Sequence, residues 1–551
     1  MATTPSGQRP RFNPSPCDVH PLHHDVPPLR DSDSNDSNPL HFKFQSLVSC
    51  PADVPLELFE TAVSQLIHHP EYNSTLILRS ETISDSDTTI PSAAPRLEGY
   101  CPVRNVHRKL LPRRPGRDSG LEQHCTLYAL ETGEFAGLPS MLVLTPLVPE
   151  GESLPYYHPT VSHLAFRFIP SNITTTSDST SAQPALRIEV TPLPGTPTDL
   201  NSRLYRTALA LLDTLHRYLW GTLTHYQKRV QHDVLIPREV YQDVYLKMRE
   251  RHKGIVNTWK ESTDPLKHVF EDIGIATYLM LFWKDMFATS SVKELDESPW
   301  KSWPRPSGFL DLGCGNGLLT HILSAEGYAG YGIDLRARTS WAHYPDSSQA
   351  ALKVHALDPT QLLSPGNSNS NDEGKSFWGP GVFLIGNHAD ELTPWLPVLA
   401  TLTGASGYLS IPCCAWMFDE RFTRSSAASA LDFSEDELLD AATPVGTLAS
   451  EAEDEAIFIA SLGLGAEGTH KSQYSAYRIW LARLSRWLGW KIECDTLRIP
   501  STRNWAIVGR ERLPGDQSIF VDRARRIVED VVRRGAFKTR TPEGKGHDGT
   551  S

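Results

Sequence analysis

A glycine-rich turn behind a short apolar strand is the part of this 551-residue sequence with the clearest chemical meaning. The segment FLDLGCGNGLLTHIL (309–323) places Gly313, Gly315 and Gly317 between that strand and a predicted helix. Glycines here permit a tight turn and let a ligand approach the backbone, while the helix N-terminus presents unpaired N–H groups. The turn predicts a nucleotide-like ligand, and a glycine turn in an unrelated α/β enzyme is the alternative interpretation.

Two aspartates narrow the choice of ligand. Asp311 precedes the first glycine, and Asp334 ends the next strand about twenty residues later, where a carboxylate can accept hydrogen bonds from both ribose hydroxyls. In the dinucleotide pattern GxGxxG the third glycine comes one residue later, and Asp311 would sit badly beside a pyrophosphate. Ammonium and sulfonium groups favour carboxylates, so the pattern, which resembles the first motif of class I methyltransferases, indicates S-adenosylmethionine. The predicted cofactor-binding residues are Asp311, Gly313, Cys314, Gly315, Asn316, Gly317, Asp334, Asp358 and Asn387.

Polar residues that end the third and fourth strands are the candidates for the rest of the site. In the class I pattern Asp358 lies near the adenine amino group, although it could equally open the turn before Pro359. The end of the fourth strand, VFLIG (382–386), faces both the donor methyl group and the acceptor. We therefore predict a catalytic group there, with N-capping by Asp390 as the competing interpretation. Its members are His388, Asp390 and Glu391, with Lys284 or Lys471 as a partner.

Alternating strand and helix patterns position these residues. From about residue 300 onward they predict an α/β fold with a mainly parallel, doubly wound, Rossmann-like sheet. The predicted strands are SGFLDL (307–312), YGIDL (331–335), LKVHAL (352–357), VFLIG (382–386), GYLSI (407–411), GWKIECDTLRI (489–499) and WAIVGR (505–510).

Composition changes along the chain predict four regions. They are a disordered tail over 1–40, an α+β region over 41–250, a methyltransferase domain over 251–515 with an acidic insertion at 415–469, and a charged tail over 516–551. RNA binding is a hypothesis for the second region, because basic residues cluster between Arg104 and Arg117.

Overall composition excludes several classes of protein. No run of about 18 apolar residues could span a membrane, and the N-terminus lacks the apolar core of a secretory signal. The eight cysteines form no regular framework, so we expect reduced thiols, no metal site and a cytoplasmic location. The net charge of −12 argues against a generally basic surface, but a local basic groove would suffice for nucleic acid.

Five separated segments, in this order, carry a family resemblance. They are TDPLKHVFEDIGIATYLMLFW (263–283), DLGCGNGLLTHILSAEGYAGYGIDLRARTSW (311–341), FLIGNHADELTPWLP (383–397), IPCC (411–414) and LRIPSTRNWAIVGR (497–510). Together they resemble the eukaryotic tRNA (uracil-2'-O-)-methyltransferase family over roughly 200–510. The resemblance implies a class I fold, S-adenosylmethionine as methyl donor and uridine 44 of serine tRNA as acceptor. Some relatives carry a C-terminal zinc finger, which is absent here because no cysteine follows Cys494.

Four arginines close to aromatic residues are the predicted RNA contacts, through phosphate, with contact to a carboxylate as the alternative. They are Arg336, Arg338, Arg498 and Arg503. Cys413 and Cys414 invite a nucleophile hypothesis, but transfer to a ribose oxygen needs no covalent intermediate, so we expect structural or positioning thiols. Two other functions stay open at this point: a methyltransferase with a protein or small-molecule acceptor, and a non-catalytic RNA-binding subunit. The sequence leaves open the oligomeric state and whether an accessory protein presents the tRNA.

Overall fold

The computed structural model describes the chain in two compact units, Met1–Gln227 and Lys228–Ser551. The described residues are 9–17, 28–30, 44–149, 151–171, 183–226, 231–288, 298–358, 363, 377–418, 420–424, 456–464 and 472–535. The division falls earlier than the expected boundary at residue 250. The reason is that the helix Arg238–His252 packs on the helix Pro265–Met286 and so belongs to the second unit.

The first unit is an eight-stranded sheet in which every neighbouring pair is antiparallel. The spatial order is β1-β2-β8-β7-β6-β5-β4-β3. Its strands are β1 (Ser15–Pro16), β2 (Gln45–Pro51), β3 (Ile77–Ser86), β4 (Tyr100–Pro112), β5 (Leu121–Leu130), β6 (Pro139–Leu147), β7 (Val161–Ile169) and β8 (Ala185–Pro192). The helices α1 (Phe59–His68) and α2 (Arg203–Leu223) bury apolar residues against this sheet in one core.

The prediction of a disordered tail over 1–40 is wrong for the described residues 9–17 and 28–30. Strand β1 pairs with β2, and the Arg9 guanidinium forms an ion pair with Asp213 at 2.5 Å. The backbone N–H of buried Leu29 donates to the buried carboxylate of Glu189 at 2.7 Å. Composition indicates disorder when a segment cannot form a core of its own. It does not reveal contacts with residues elsewhere in the chain.

The basic cluster on β4 is largely engaged inside the first unit. Arg108 is buried and donates to Gln123 at 3.1 and 2.7 Å. Arg104 forms ion pairs with Asp85 at 2.7 Å and Glu60 at 3.2 Å. RNA binding by this unit therefore stays a prediction, and these two arginines lend it no support.

The second unit contains a seven-stranded, mainly parallel sheet, as predicted. Its order is β11-β10-β9-β12-β13-β17-β16; the first five strands are parallel, and β17 is antiparallel to both of its neighbours. The strands are β9 (Gly308–Leu312), β10 (Gly330–Asp334), β11 (Leu352–Val354), β12 (Val382–Asn387), β13 (Gly407–Ile411), β16 (Trp490–Thr496) and β17 (Trp505–Arg512). A separate hairpin consists of β14 (Trp416–Met417) and β15 (Glu420–Arg421).

Helices cover both faces of this sheet. They are α3 (Arg238–His252), α4 (Pro265–Met286), α5 (Leu318–Ala325), α6 (Asp346–Ala351), α7 (Trp395–Thr403), α8 (Gln473–Trp487) and α9 (Gln517–Arg533). Successive strand residues point to opposite faces, so Phe309 packs with α4 and α5 whereas Leu310 packs with α7, α8 and α9. None of the described helices is long and apolar enough to cross a membrane.

Two predicted boundaries of this unit need correction. The region 516–551 is not simply a charged tail, because α9 buries Ala524, Ile527, Val528 and Val531 in the core of the unit. Its apolar stripe at three- and four-residue spacing is hidden among many charged residues.

The predicted acidic insertion at 415–469 also needs correction, because described residues near its start and near its end pack against the rest of the unit. Phe418 near its start is buried, and Leu462 near its end packs with Trp505, whose ring N–H donates to the Leu462 carbonyl at 2.9 Å. Its acidic segment EDELLD (435–440) lies outside the described residues.

Glu326 follows α5, and its buried carboxylate connects this helix end to α3 and to Trp300, which precedes β9. It accepts from Arg251 at 2.8 Å, His252 at 2.7 Å and the Trp300 ring N–H at 2.7 Å. Burial alone would raise the pKa of Glu326, but hydrogen bonds from His252, Arg251 and Trp300 lower it from 4.5 to about 2. The folded-state pKa is depressed, so this carboxylate contributes stability above about pH 4.5 that is lost as the pH falls toward about 2.

We expect Glu326→Gln to lower the free energy of unfolding by about 3 kcal/mol at neutral pH, because it removes the buried negative charge that Arg251 and the other donors face. Urea unfolding at neutral pH and at about pH 3 would check this, and the deficit should shrink at the lower pH. Glu250→Gln is the matched control, since Glu250 is an exposed residue of α3 that pairs with Lys253. An equal deficit at both pH values would contradict the account.

Candidate active site

The glycine turn has the geometry that the sequence predicts. It joins β9 to α5, and Gly313, Gly315 and Gly317 have φ values of 72°, 54° and 75°, in the left-handed region. The N–H groups of Gly313 and Cys314 both donate to the Ile333 carbonyl, which fixes the turn against the end of β10. A Cβ atom at Gly317 would lie 2.8 Å from the Leu352 side chain, so this close packing requires a glycine.

Asp334 lies at the end of β10, beside the glycine turn. Its Oδ2 atom accepts from the Gly315 N–H at 2.9 Å, and its Oδ1 accepts from the Arg336 N–H at 3.3 Å. The side chain of Asn316 holds the helix start in a similar way, because its Oδ1 accepts from the Leu318 N–H at 2.9 Å.

Asp311 lies beneath the turn rather than in the cavity wall. It is buried, and its carboxylate accepts from the Thr320 hydroxyl at 3.1 Å. Burial raises the pKa of Asp311 to about 7; the Thr320 hydrogen bond opposes this rise, and the charge of Asp334 adds to it. The structure therefore gives Asp311 a supporting position, in which it anchors the first turn of α5.

A cavity of about 370 Å³ opens beside the glycine turn, which is within the size range of small-molecule sites. It brings together the turn, the end of β10, the segment after β11, the segment after β12, and Phe418. The lining residues are Gly313, Gly315, Ile333, Asp334, Leu335, Arg338, His355, Leu357, His388, Ala389, Asp390, Glu391, Leu392, Trp395 and Phe418.

Backbone strain is concentrated at this cavity. Five non-glycine residues in the described part of the chain have positive φ, and three of them line it. His388, Asp390 and Phe418 have φ values of 54°, 46° and 50°. Conformations of this kind cost about 1–3 kcal/mol each and persist where the surrounding structure imposes them, which is typical of functional sites.

His388 and Asn387 contact two acidic residues of α4. His388 Nε2 lies 3.1 Å from Glu271 Oε1, and the Asn387 side-chain N–H donates to Asp272 Oδ1 at 3.2 Å. Burial raises the pKa of Asp272 well above its usual range, and the charges of Glu271 and Asp311 raise it further. Helix α4 is positioned for these contacts by its N-cap residue Asp264, whose carboxylate accepts from the Leu266 N–H at 2.9 Å.

Asp390 contacts the thiol of Cys413, which follows the neighbouring strand β13. Cys413 Sγ donates to Asp390 Oδ1 at 3.2 Å. Asp390 does not cap a helix, because α7 has Pro394 at its N-cap and the short 3-10 helix over Asp390–Leu392 has Ala389. Burial and the nearby Asp390 carboxylate raise the pKa of Cys413. A protonated thiol is a poor nucleophile, which favours the positioning role over covalent catalysis.

Several predicted residues lie outside the cavity wall. Lys284 sits about 20 Å beyond Glu271 along α4, at about 1.5 Å per residue, with its ammonium over the Trp303 ring. The structure thus separates Lys284 from the catalytic group, and the alternative Lys471 lies outside the described residues. Asp358 follows β11 at the same edge of the sheet but does not line the cavity.

The four predicted RNA-contacting arginines have different surroundings. Arg338 lines the cavity, and Arg336 is exposed. Arg498 forms two hydrogen bonds with Asp233, so its guanidinium is used within the unit. Arg503 lies over the Tyr474 ring at 3.8 Å.

Sequence reasoning missed Glu271 and Asp272 as members of the site. They lie in FEDIG, inside one of the segments that carry the family resemblance, and two adjacent acids next to a long apolar run were the available signal. The apolar lining residues Leu335, Leu357 and Phe418 gave no signal of their own, because such residues also form ordinary cores.

Family models match both units. Residues 21–229 match the model described as a TRM44-like, N-terminal bet v1-like domain, and residues 235–359 match a predicted AdoMet-dependent methyltransferase. Together with the glycine turn, Asp334 and the cavity, the second match defines the chain as an S-adenosylmethionine-dependent methyltransferase.

Curated relatives are similar over nearly the whole chain. The tRNA (uracil-O(2)-)-methyltransferase of Schizosaccharomyces pombe is 33% identical, and the match covers 89% of this chain and 90% of the relative. The protein of the same name from Neurospora crassa is 31% identical, with 93% and 95% covered. This chain belongs to the tRNA (uracil-O(2)-)-methyltransferase family. No solved structure matches it.

Proposed function

We propose that this protein methylates the ribose 2'-oxygen of uridine 44 in serine tRNA, with S-adenosylmethionine as donor. The observation that carries the proposal is the polar group His388, Asp390 and Glu391, which lines the same cavity as the glycine turn in a chain of this family. The strand order, with five parallel strands and an antiparallel β17, supports the class I form of the methyltransferase fold.

The residues around the cavity fit the donor. Asp334 can accept hydrogen bonds from ribose hydroxyls, and Leu335 and Leu357 give an apolar wall for an adenine ring. Asp358 follows β11 at the same edge, which supports its proposed place near the adenine amino group. The left-handed Gly313 and Gly315 let a ligand approach the backbone closely. When bound, S-adenosylmethionine supplies an electrophilic methyl group on a sulfonium sulfur.

The chain's own task is to hold the ribose hydroxyl in line and to remove its proton. Positioning can contribute about 7–11 kcal/mol in favourable cases, and a general base adds about 10²–10⁴-fold. His388 and Asp390 are held in strained backbone conformations at the end of β12, where parallel-sheet enzymes bind their ligands. We assign the orientation of the acceptor to these two residues and to Glu391.

The surface next to this group supports an RNA contact through Arg503. The Ser501 side chain hydrogen-bonds Glu271, so the loop that carries Arg503 borders the catalytic group. Arg503 is exposed and lies over the Tyr474 ring, so part of its guanidinium is accessible to a phosphate. Arg336, exposed after β10, is the proposed second contact.

We expect Arg503→Glu to weaken tRNA binding and to reduce the slope of log K against log salt by about 1, because one phosphate contact is lost. Binding titrations over a range of salt concentrations would measure both quantities. Arg486→Glu is the matched control, since Arg486 is an exposed arginine of α8 that also lies over an aromatic ring, that of Phe458. An unchanged salt slope for Arg503→Glu would refute the contact.

Methyl transfer from labelled S-adenosylmethionine to an unmodified serine tRNA transcript tests the proposed function. We expect label in serine tRNA and none in protein or small-molecule fractions. Donor binding without transfer to any tRNA would overturn the proposal in favour of another acceptor, and the absence of donor binding would favour a non-catalytic RNA-binding protein. If an accessory protein is needed to present the tRNA, a cell extract should restore transfer.

We also propose that the protein acts in the cytoplasm. All eight cysteines lie among the described residues and all are free thiols, which fits a reducing compartment.

A further inference from the structure

We propose that Glu271 is a positioning residue that holds His388 as the proton acceptor for the ribose 2'-hydroxyl. This inference rests on the proposed function and deepens it. It names a residue of α4, outside the polar segment after β12, and it assigns a role to each nitrogen of the His388 ring.

The two side chains in this contact differ in burial. Glu271 Oε1 lies 3.1 Å from His388 Nε2, and the Glu271 side chain is 6% exposed against 26% for His388. Ser501 provides a further hydrogen bond to the Glu271 carboxylate. A buried carboxylate held from two sides is a fixed point against which the more exposed imidazole can be oriented.

The state of the carboxylate decides which ring nitrogen carries the proton. Burial raises the pKa of Glu271, but hydrogen bonds from His388 and Ser501 and the positive charges nearby, including Lys267, together lower it below its usual range. An ionised Glu271 can only accept, so neutral His388 must carry its proton on Nε2. The lone pair is then on Nδ1, which is the nitrogen available to accept a proton.

The Nδ1 atom of His388 has no hydrogen-bond partner among the described residues. It is buried, and no described group hydrogen-bonds to it. An unsatisfied buried acceptor costs about 1–3 kcal/mol, which a hydroxyl donor would relieve. His388 lines the cavity, and the proposed role requires that the ring present Nδ1 to a hydroxyl at that wall in the bound complex, where catalytic contacts commonly tighten.

The proposed step balances simply. As the methyl carbon–sulfur bond breaks and the oxygen–methyl bond forms, the hydroxyl proton passes to Nδ1. The ring becomes an imidazolium with protons on both nitrogens, and its charge is balanced by Glu271. The proton is then released to solvent.

Other charged or titratable groups lie near the His388–Glu271 pair. They are Lys267 and Asp272 from α4, Asp390 and Glu391 from its own segment, and Cys413 from the segment after β13. Of these, Asp272 is bonded to Asn387 and Cys413 to Asp390. The recorded hydrogen bond to the His388 ring comes instead from Glu271.

The test compares the pH dependence of kcat/KM for wild type and Glu271→Gln on serine tRNA. Glutamine keeps a hydrogen-bond acceptor but removes the negative charge that favours the imidazolium. We expect turnover to fall about 10- to 100-fold, and the acid limb of the profile to move to lower pH, with donor affinity unchanged. Glu250→Gln on α3 is the control, and melting curves confirm that each variant is folded.

A combined variant separates positioning from a merely structural role. If Glu271 acts through His388, then Glu271→Gln should cost little further turnover in a His388→Asn background. Additive losses, or an acid limb that stays in place in Glu271→Gln, would overturn this inference while an active wild type upholds the proposed function. A wild type that methylates no tRNA would overturn both.

Discussion

Replacing Asp334 with alanine is expected to weaken binding of S-adenosylmethionine about 100-fold. Hydrogen bonds to a charged group contribute about 1.5–3 kcal/mol each, and about 2.8 kcal/mol corresponds to a 100-fold change in affinity. Asp334 also accepts from the Gly315 N–H, so its loss loosens the turn that forms the other side of the donor cavity. Both effects act in the same direction.

Equilibrium titration of each variant with the donor would measure this loss. Asp346→Ala is the matched control, because Asp346 is an exposed aspartate in the first turn of α6, within the same unit. Asp334→Asn should give an intermediate loss, since an amide oxygen accepts but carries no charge. Wild-type affinity in Asp334→Ala would show that the donor does not use the end of β10.

Replacing His388 with asparagine is expected to lower methyl transfer to tRNA about 10²–10⁴-fold while donor binding is retained. Asparagine tolerates the left-handed backbone that His388 adopts at φ 54°, so the variant removes the imidazole with little change in backbone strain. Asparagine cannot accept a proton at neutral pH, so this variant separates proton acceptance by His388 from its contribution to packing.

Single-turnover kinetics with saturating donor would measure the chemical step directly. His343→Asn is the control, since His343 is exposed and lies in the short helix over Thr339–His343. Turnover equal to wild type in folded His388→Asn would remove His388 from the catalytic group, and Asp390 and Glu391 would then have to carry the acceptor chemistry.

The placement of the candidate donor-binding residues was predictable because they are close together in sequence. A strand, three glycines and a helix follow one another within fifteen residues, FLDLGCGNGLLTHIL (309–323), and Asp334 ends the next strand. The strand pattern and the glycine turn together predict that Gly313, Gly315 and Asp334 lie close together, and in the structure all three line one cavity. The polar segment after β12 was found for the same reason.

The long-range partners were not predictable in this way. Glu271 reaches His388 from a helix more than a hundred residues earlier, and no local pattern records that contact. Lys284 shows the converse, because it is a plausible catalytic residue by type but lies at the wrong end of α4. The charge of a residue does not predict which end of its helix lies next to the edge of the sheet.

Burial also changed roles that residue type suggested. Asp311 was expected to face the donor, but the alternation along β9 places it under the turn against Thr320. Arg498 is exposed and pairs with the carboxylate of Asp233, so its contact with RNA stays a prediction. The apolar stripe of α9 lies among arginines and acids, so composition alone predicts a charged tail where the structure has a core helix.

Two serine tRNA transcripts that differ by one atom test the central claim most directly. One carries uridine at position 44 and the other 2'-deoxyuridine, and each is incubated with wild-type protein and labelled S-adenosylmethionine. The account predicts label in the first transcript, at an alkali-resistant linkage after residue 44, and no label in the second. Equal label in both transcripts, or label on a base, would contradict methylation of the ribose 2'-oxygen.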